Sequence, residues 1–431
     1  MRFEKKKEPI KLGKFKKYSF YFIIILFFFI LGIWTEKYNF VAKPKMIIQE
    51  ISQKVYEKIV LEYFDDNRLI IDINYKNFQK IEKAREIGLK NERLKDEDSK
   101  WANAKLKYDD DEYKVKIRLK GTHGDHWRHP YKWSFKIKLS NDKTIFNLKR
   151  FSIQSPQTTS FLHEWLFMKA LKKEGLIHHR VKFVNVIING NKLGYYMLIE
   201  QASKNLIEFN KRREGPIITF NKDLWIDEFN AKKNQLGINT ELDNFWRSKI
   251  TPVQFKNKNL NTNQEKYLNK AIFLLESFRN KELKPNEVFD VSQLAKFMAL
   301  KAIFGSIELD TNDLKFYFNP VTRLLEPVGK EVHTNHKKFQ HYSGWVFNLE
   351  KIVLPWQKHF LKILYDDKDF YELFLKELSN LSSQNYIQDI INENINEFNR
   401  YKKILKINHP FKEIINLEDI NNTKEFIKGS L

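Results

Sequence analysis

The sequence predicts an α+β protein: a small antiparallel β part containing one helix, then a larger and mainly helical part, behind an N-terminal transmembrane helix. Three observations carry this. Residues 18 to 34, YSFYFIIILFFFILGIW, hold no charge and follow a basic tail. Between Tyr113 and Glu200 the apolar residues recur with period two, interrupted once by a helical period. Beyond Pro216 the pattern turns helical, at Asn263–Asn280, Val291–Ser306 and from Pro355 to about Leu405.

The chain has 431 residues, of which 42% are hydrophobic, enough to build a core. It has no cysteine, which excludes disulfides, zinc thiolates and thiol nucleophiles. Its net charge of +22 points toward an anionic partner. Part of that charge has a simpler origin. Residues 1–17 carry eight Lys/Arg against Glu4 and Glu8, which leaves +16 on the remainder. This tail holds its end in the cytoplasm, and Tyr18–Trp34 is just long enough to cross a bilayer core of about 30 Å. No small-residue cleavage pattern follows in TEKYNFVAKPK, so an uncleaved anchor is expected. Everything from Thr35 onward is then extracytoplasmic, at the periplasm or cell surface. A chromosomal nucleic-acid partner loses its case with that placement.

Residues 35–70 read as a lead-in, and up to about 110 the pattern is helical around Met46–Tyr63 and Tyr75–Gly88, separated by RLIIDI. Two strands follow. Tyr113, Val115, Ile117 and Leu119 alternate with Lys114, Lys116, Arg118 and Lys120; Trp133, Phe135, Ile137 and Leu139 alternate with Lys132, Ser134, Lys136 and Lys138. Paired as a hairpin, they put seven cations on one face. Like charges directly opposite repel, and an anion on that face would offset the cost. The connecting loop, KGTHGDHWRHPY, holds His123, Asp125, His126 and His129, whose spacing fits no compact metal motif. Its backbone N–H groups and the Thr122 hydroxyl suit an anion better. A loop that folds over the sheet edge is the plainer alternative.

A helix is expected over Ser160–Glu174, with Phe161, Leu162, Trp165, Leu166, Met168 and Leu171 as its apolar stripe and Gly175 as its stop. VKFVNVIINGNKLGYYMLIE then reads as a hairpin about Asn189-Gly190. KFYFNP and RLLEPV form a short strand pair inside the helical part.

Taken in order, RLKG, KWSFKIKL, NGNKLGYYMLIE and FYFNPVTRLLEPVG resemble the motifs of the CotH kinase family, over roughly Ile71–Glu331. The resemblance implies a bilobal protein-kinase-like domain over 71–335, with 336–431 a helical extension of its large lobe. It implies binding of ATP with Mg²⁺ or Mn²⁺ and transfer of the γ-phosphoryl group to protein Ser or Thr. Lys138 would be the strand lysine on the phosphates, with Glu164 as its ion-pair partner and Glu174 as the alternative. Arg118, Lys120, Gly121, Thr122 and Lys136 would help cover the phosphates, and Glu200 would fall near the base. Asp310 would take the catalytic-base position, with Glu308 behind it. Asp313 stands where the family has Asn, and Glu331 where it has Asp; these two would hold the metal. The residues also leave open a non-catalytic, pseudokinase-type envelope protein that binds an anionic glycan or surface polymer through the basic sheet face.

Overall fold

The computed structural model describes residues 67–140, 143–236, 245–253, 260–306, 314–329, 332, 346–347, 355–383 and 385–431, all within one compact unit. The anchor expected at Tyr18–Trp34 lies outside the described residues. Among the described residues no helix is long and apolar enough to cross a membrane.

Seven strands close into a barrel in the order β1 (Arg68–Asp72), β2 (Ala102–Tyr108), β3 (Asp111–Leu119), β4 (Phe135–Leu139), β5 (Arg150–Gln154), β7 (Asn191–Glu200) and β6 (Val181–Ile188). This corrects the expected small antiparallel layer. RLIIDI is a strand rather than a spacer between helices, and it pairs parallel to β6, with Leu69 opposite Val186 and Ile71 opposite Ile188. Closure removes the edges that an open sheet would leave. The β6–β7 turn adds to the seam: Asn189 and Gly190 both take positive φ, 48° and 79°, as a tight hairpin turn requires. The Asn189 side chain accepts a hydrogen bond from the Ile73 N–H at 2.7 Å.

Alternation fixes which face of each strand is buried. Val115, Ile117 and Leu119 meet Leu139, Ile137 and Phe135 across the β3–β4 ladder, and all six join Phe151, Ile153, Tyr196 and Leu198 in the barrel core. Trp127 and Trp133 belong to the same core, so neither is available for stacking on a base. The helix α1 (Tyr75–Asn91), capped by the Asn74 side chain on the Asn77 N–H, joins β1 to β2.

Helix α2 (Leu162–Lys173) forms where the apolar stripe predicts it and ends before Gly175, at φ +69°. After the barrel come α3 (Lys204–Phe209), β8 (Ile217–Phe220), α4 (Asp223–Leu236), β9 (Ile250–Pro252), α5 (Thr262–Arg279), α6 (Pro285–Val288) and α7 (Val291–Ile303). The predicted strand pair is β10 (Lys315–Phe318) with β11 (Leu325–Pro327). It lies in a second sheet ordered β11-β10-β8-β9, whose β8 and β9 the helical pattern had hidden. The chain ends in α8 (Pro355–Tyr365), α9 (Lys368–Leu381), α10 (Tyr386–Glu393), α11 (Ile395–Asn408) and α12 (Leu417–Ser430).

Candidate functional site

The β3–β4 register places Lys116 opposite Lys138 and Arg118 opposite Lys136, and β5 continues the rows with Arg150 beside Lys138 and Ser152 beside Lys136. Six of the seven expected cations therefore share the outer face. The seventh does not: Lys132 precedes β4 and is buried, its ammonium 5.3 Å from the centre of the Tyr196 ring.

One carboxylate neutralises part of this face. Asp96, on the loop between α1 and β2, accepts from Arg118 Nη2 at 2.9 Å and lies 3.0 Å from Lys136 Nζ. Burial opposes its ionisation, yet Lys136 and Arg118 hold its carboxyl far below the usual carboxylate range. Both Nη atoms of Arg118 are committed here. Its Nη1 donates to the carbonyls of Asp96 and Ser99 at 2.7 and 3.2 Å, and its guanidinium stacks 4.9 Å from the Trp101 ring. Sequence reasoning passed over Asp96 because LKDEDSK looks like any solvated acidic loop. The unbalanced cation rows of β3 and β4 were the signal that could have found it.

At the lower end of the face Lys120 donates to Gln154 Oε1 at 2.5 Å, and its N–H bonds the Ser134 carbonyl at 2.9 Å, closing the loop. Gly121 sits at φ +95°, and a Cβ there would lie 1.9 Å from the His126 ring. Trp127 Nε1 donates to the Gly121 carbonyl, and the Leu94 N–H to that of Thr122. The loop histidines do not converge. His126 Nδ1 meets Ser134 Oγ at 3.1 Å, whereas His129 Nδ1 accepts from the Lys132 N–H. Among the described residues no group of three His, Asp or Glu could hold a metal ion. The helix α4 packs on this region, with Trp225 against His123, Phe229 4.2 Å below the Arg93 guanidinium, and Asp227 on Lys95 at 2.5 Å.

Lys138 is exposed on the outer face of β4. The strand that leads into α2 is not β4 but β5, which turns Arg150, Ser152 and Gln154 to that face. Glu164, in the first turn of α2, is 1% exposed, and its Oε2 accepts from the Val332 N–H at 2.7 Å. Val332 follows Glu331 in the sequence, beyond the Glu-Pro of β11. Three residues earlier in the sequence, the Gly329 N–H donates to the Ile177 carbonyl at 2.8 Å. Glu174, the alternative partner, is engaged elsewhere, accepting from Tyr386 Oη at 2.9 Å and facing Lys296. Helix α2 is also held from the far side, by Lys169 on Glu397 at 2.5 Å and by Lys173 on Glu393. Glu200, 2% exposed, closes β7 in a bidentate pair with Arg180, at 2.8 and 2.5 Å. Its carboxylate is thus spent on the barrel rather than presented to a base. Glu308, Asp310, Asp313 and Glu331 lie outside the described residues.

A basic strand face, a glycine loop at its end, and a helix acid tied to the segment after the Glu-Pro are the described parts of the candidate site. The CotH kinase protein family model matches residues 117–414, more than half of the chain, and the protein belongs to that family. Comparison with curated proteins finds no match. Among solved structures the chain is similar to the Helicobacter pylori proinflammatory kinase CtkA at 11% identity, covering 69% of this chain and 90% of that one with a TM-score of 0.28. That likeness is too slight to carry any argument.

Proposed function

We propose that the protein is a membrane-anchored, extracytoplasmic CotH-type kinase of bilobal, protein-kinase-like fold that transfers the γ-phosphoryl group of ATP to Ser or Thr hydroxyls of a protein. The observation that carries the reading is the buried Glu164 carboxylate on the Val332 N–H. Phosphoryl transfer is mostly positioning, and in kinases the helix glutamate and the segment of metal-binding acids must be in place together. The order of elements agrees with it: after β1 and α1 come four antiparallel strands, a helix, a hairpin, then a mainly helical part.

The outer face of β3 and β4 offsets phosphate charge through Lys136, Lys138 and Lys120. The substrate oxygen attacks the γ-phosphorus, the bond from that phosphorus to the bridging oxygen of ADP breaks, and the hydroxyl proton passes to Asp310. Asp313 and Glu331 would hold Mg²⁺ through hard oxygen donors, and the ion would neutralise charge on the phosphates. Tyr18–Trp34 anchors the chain with its basic tail in the cytoplasm. The test is the purified full chain with labelled ATP and Mg²⁺ or Mn²⁺. The expected result is phosphorylation of itself or of added protein, lost in Asp310→Ala and Glu331→Ala. No phosphorylation together with no thermal shift on adding ATP would overturn the reading.

One feature favours a second reading, a pseudokinase of the cell envelope that holds an anionic glycan or surface polymer. Lys116, Lys138 and Arg150 lie side by side across β3, β4 and β5. This reading expects salt-sensitive polymer binding that survives Asp310→Ala and Glu331→Ala but is lost in Lys136→Glu with Lys138→Glu.

A further inference from the structure

Asp96 lies outside residues 117–414, the part of the chain that the family accounts for. It nevertheless meets the two cations that face each other across β3 and β4 at the Gly121 end of the basic face. Arg118 and Lys136 are directly opposed in the ladder. A like-charged pair in that position is destabilising unless something sits between them. Asp96 does so, with Oδ2 2.9 Å from Arg118 Nη2 and Oδ1 3.0 Å from Lys136 Nζ.

The two partners play different parts. Arg118 has donated to the Asp96 carbonyl, the Asp96 carboxylate and the Ser99 carbonyl, and its flat face is on Trp101, so it has become a clamp on the loop. A planar guanidinium is suited to that role, because its donors are fixed in one fork. Lys136 keeps capacity. An ammonium has three donors, and both of its contacts, at 3.0 and 3.4 Å, go to the single Asp96 carboxylate. Its side chain is 23% exposed, part of it at the outer surface of the sheet. Arg118 therefore holds Asp96, and Asp96 holds Lys136.

We propose that Asp96 is a positioning residue for nucleotide phosphate: clamped by Arg118, it sets the Lys136 ammonium where the phosphates of ATP lie against the β3–β4 face. The inference rests on the kinase reading and deepens it. A lysine steadied by a carboxylate is what a phosphate site needs, since a flexible four-carbon stem otherwise loses entropy on binding. Here the steadying acid comes from a loop that precedes the family domain.

The test is calorimetric titration of the full chain with ATP and Mg²⁺, with melting temperatures read alongside. Asp96→Asn should weaken ATP about tenfold, the order expected when the partner of a binding group is removed. Asp96→Glu should stay within about threefold of the unaltered chain, and Lys136→Gln should lose no more when combined with Asp96→Asn, because the two act as one unit. In phosphorylation assays the loss should appear in KM for ATP with kcat nearly unchanged. If the unaltered chain binds no ATP, the kinase reading fails and the inference falls with it. If it binds ATP and Asp96→Asn binds as tightly or more tightly, the inference alone is overturned, and Asp96 is a structural clamp or a competing anion. Should Asp96→Asn not fold, Lys136→Arg takes its place: about tenfold weaker ATP at an unchanged melting temperature supports the proposal, and unchanged affinity overturns it.

Discussion

The Val332 N–H donates to Glu164 Oε2 across 168 positions of sequence, at 2.7 Å and within a buried environment. Removing the acceptor leaves a buried donor without water, which costs about 1–3 kcal/mol. Glu164→Ala should therefore lower unfolding free energy by about that much, read by urea denaturation. Glu164→Gln keeps an acceptor oxygen and should cost clearly less. Equal losses in the two variants would mean that the bond is not what stabilises the segment.

Gly121 offers a sharper test of the loop. Its φ of +95° is one that side-chain-bearing residues rarely adopt, and an added methyl group would overlap the His126 ring. Gly121→Ala should cost about 1–3 kcal/mol in thermal or chemical melts, from backbone strain and displacement of that ring. It should also weaken any ligand of the β3–β4 face, since Lys120 precedes it directly. A neutral Gly121→Ala would show that the loop can shift at no expense.

Arg180 and Glu200 tie the last barrel strand to the segment before β6. Glu200 is buried and Arg180 partly exposed. Breaking the pair from the arginine side strands a buried carboxylate, at about 3–5 kcal/mol. Arg180→Ala should be among the most destabilising single changes in the barrel, whereas the double change Arg180→Met with Glu200→Leu should recover much of the loss. A small effect of Arg180→Ala would show that water reaches Glu200.

These residues also show what the sequence could and could not disclose. The β3–β4 hairpin was legible because period-two alternation fixes both the strand and its buried face, and Asn189-Gly190 announced the second hairpin through its turn chemistry. Barrel closure was not legible. The parallel pairing of Leu69 with Val186 joins segments more than a hundred residues apart, and nothing local records a partner at that distance. β5, RFSIQ, and β8, IITF, are too short for either period to register. The candidate site divided in the same way. The cations could be listed from alternation, but their roles depend on Asp96, an acid in a loop whose composition marks it as solvent-facing. Lys138 was named through the family resemblance, as the strand lysine projecting from the basic face, and only the strand order shows that β5, not β4, enters helix α2.

The ammonium of Lys136 gives the basic face a pH dependence. The groups around it are Asp96 from the loop after α1, Arg118 on β3, Lys120 just beyond the end of β3, and the uncharged Ser152 opposite on β5. Burial, with Arg118 and Lys120 nearby, pushes Lys136 down to about 8 even though Asp96 favours its charge. As pH rises through about 8 the folded protein loses this cation, so affinity for ATP should fall between pH 7 and 9, read by titration at several pH values. Lys136→Gln should remove that limb. Stability moves the other way. Between about 8 and the ordinary lysine value of 10.5 the unfolded chain holds a proton that the folded chain has released, so this group's contribution to stability rises with pH across that window. Loss of ATP binding near pH 8 without loss of melting temperature would therefore point to Lys136 itself. A parallel fall in both would point to alkaline unfolding and count against Lys136 as the phosphate-binding cation.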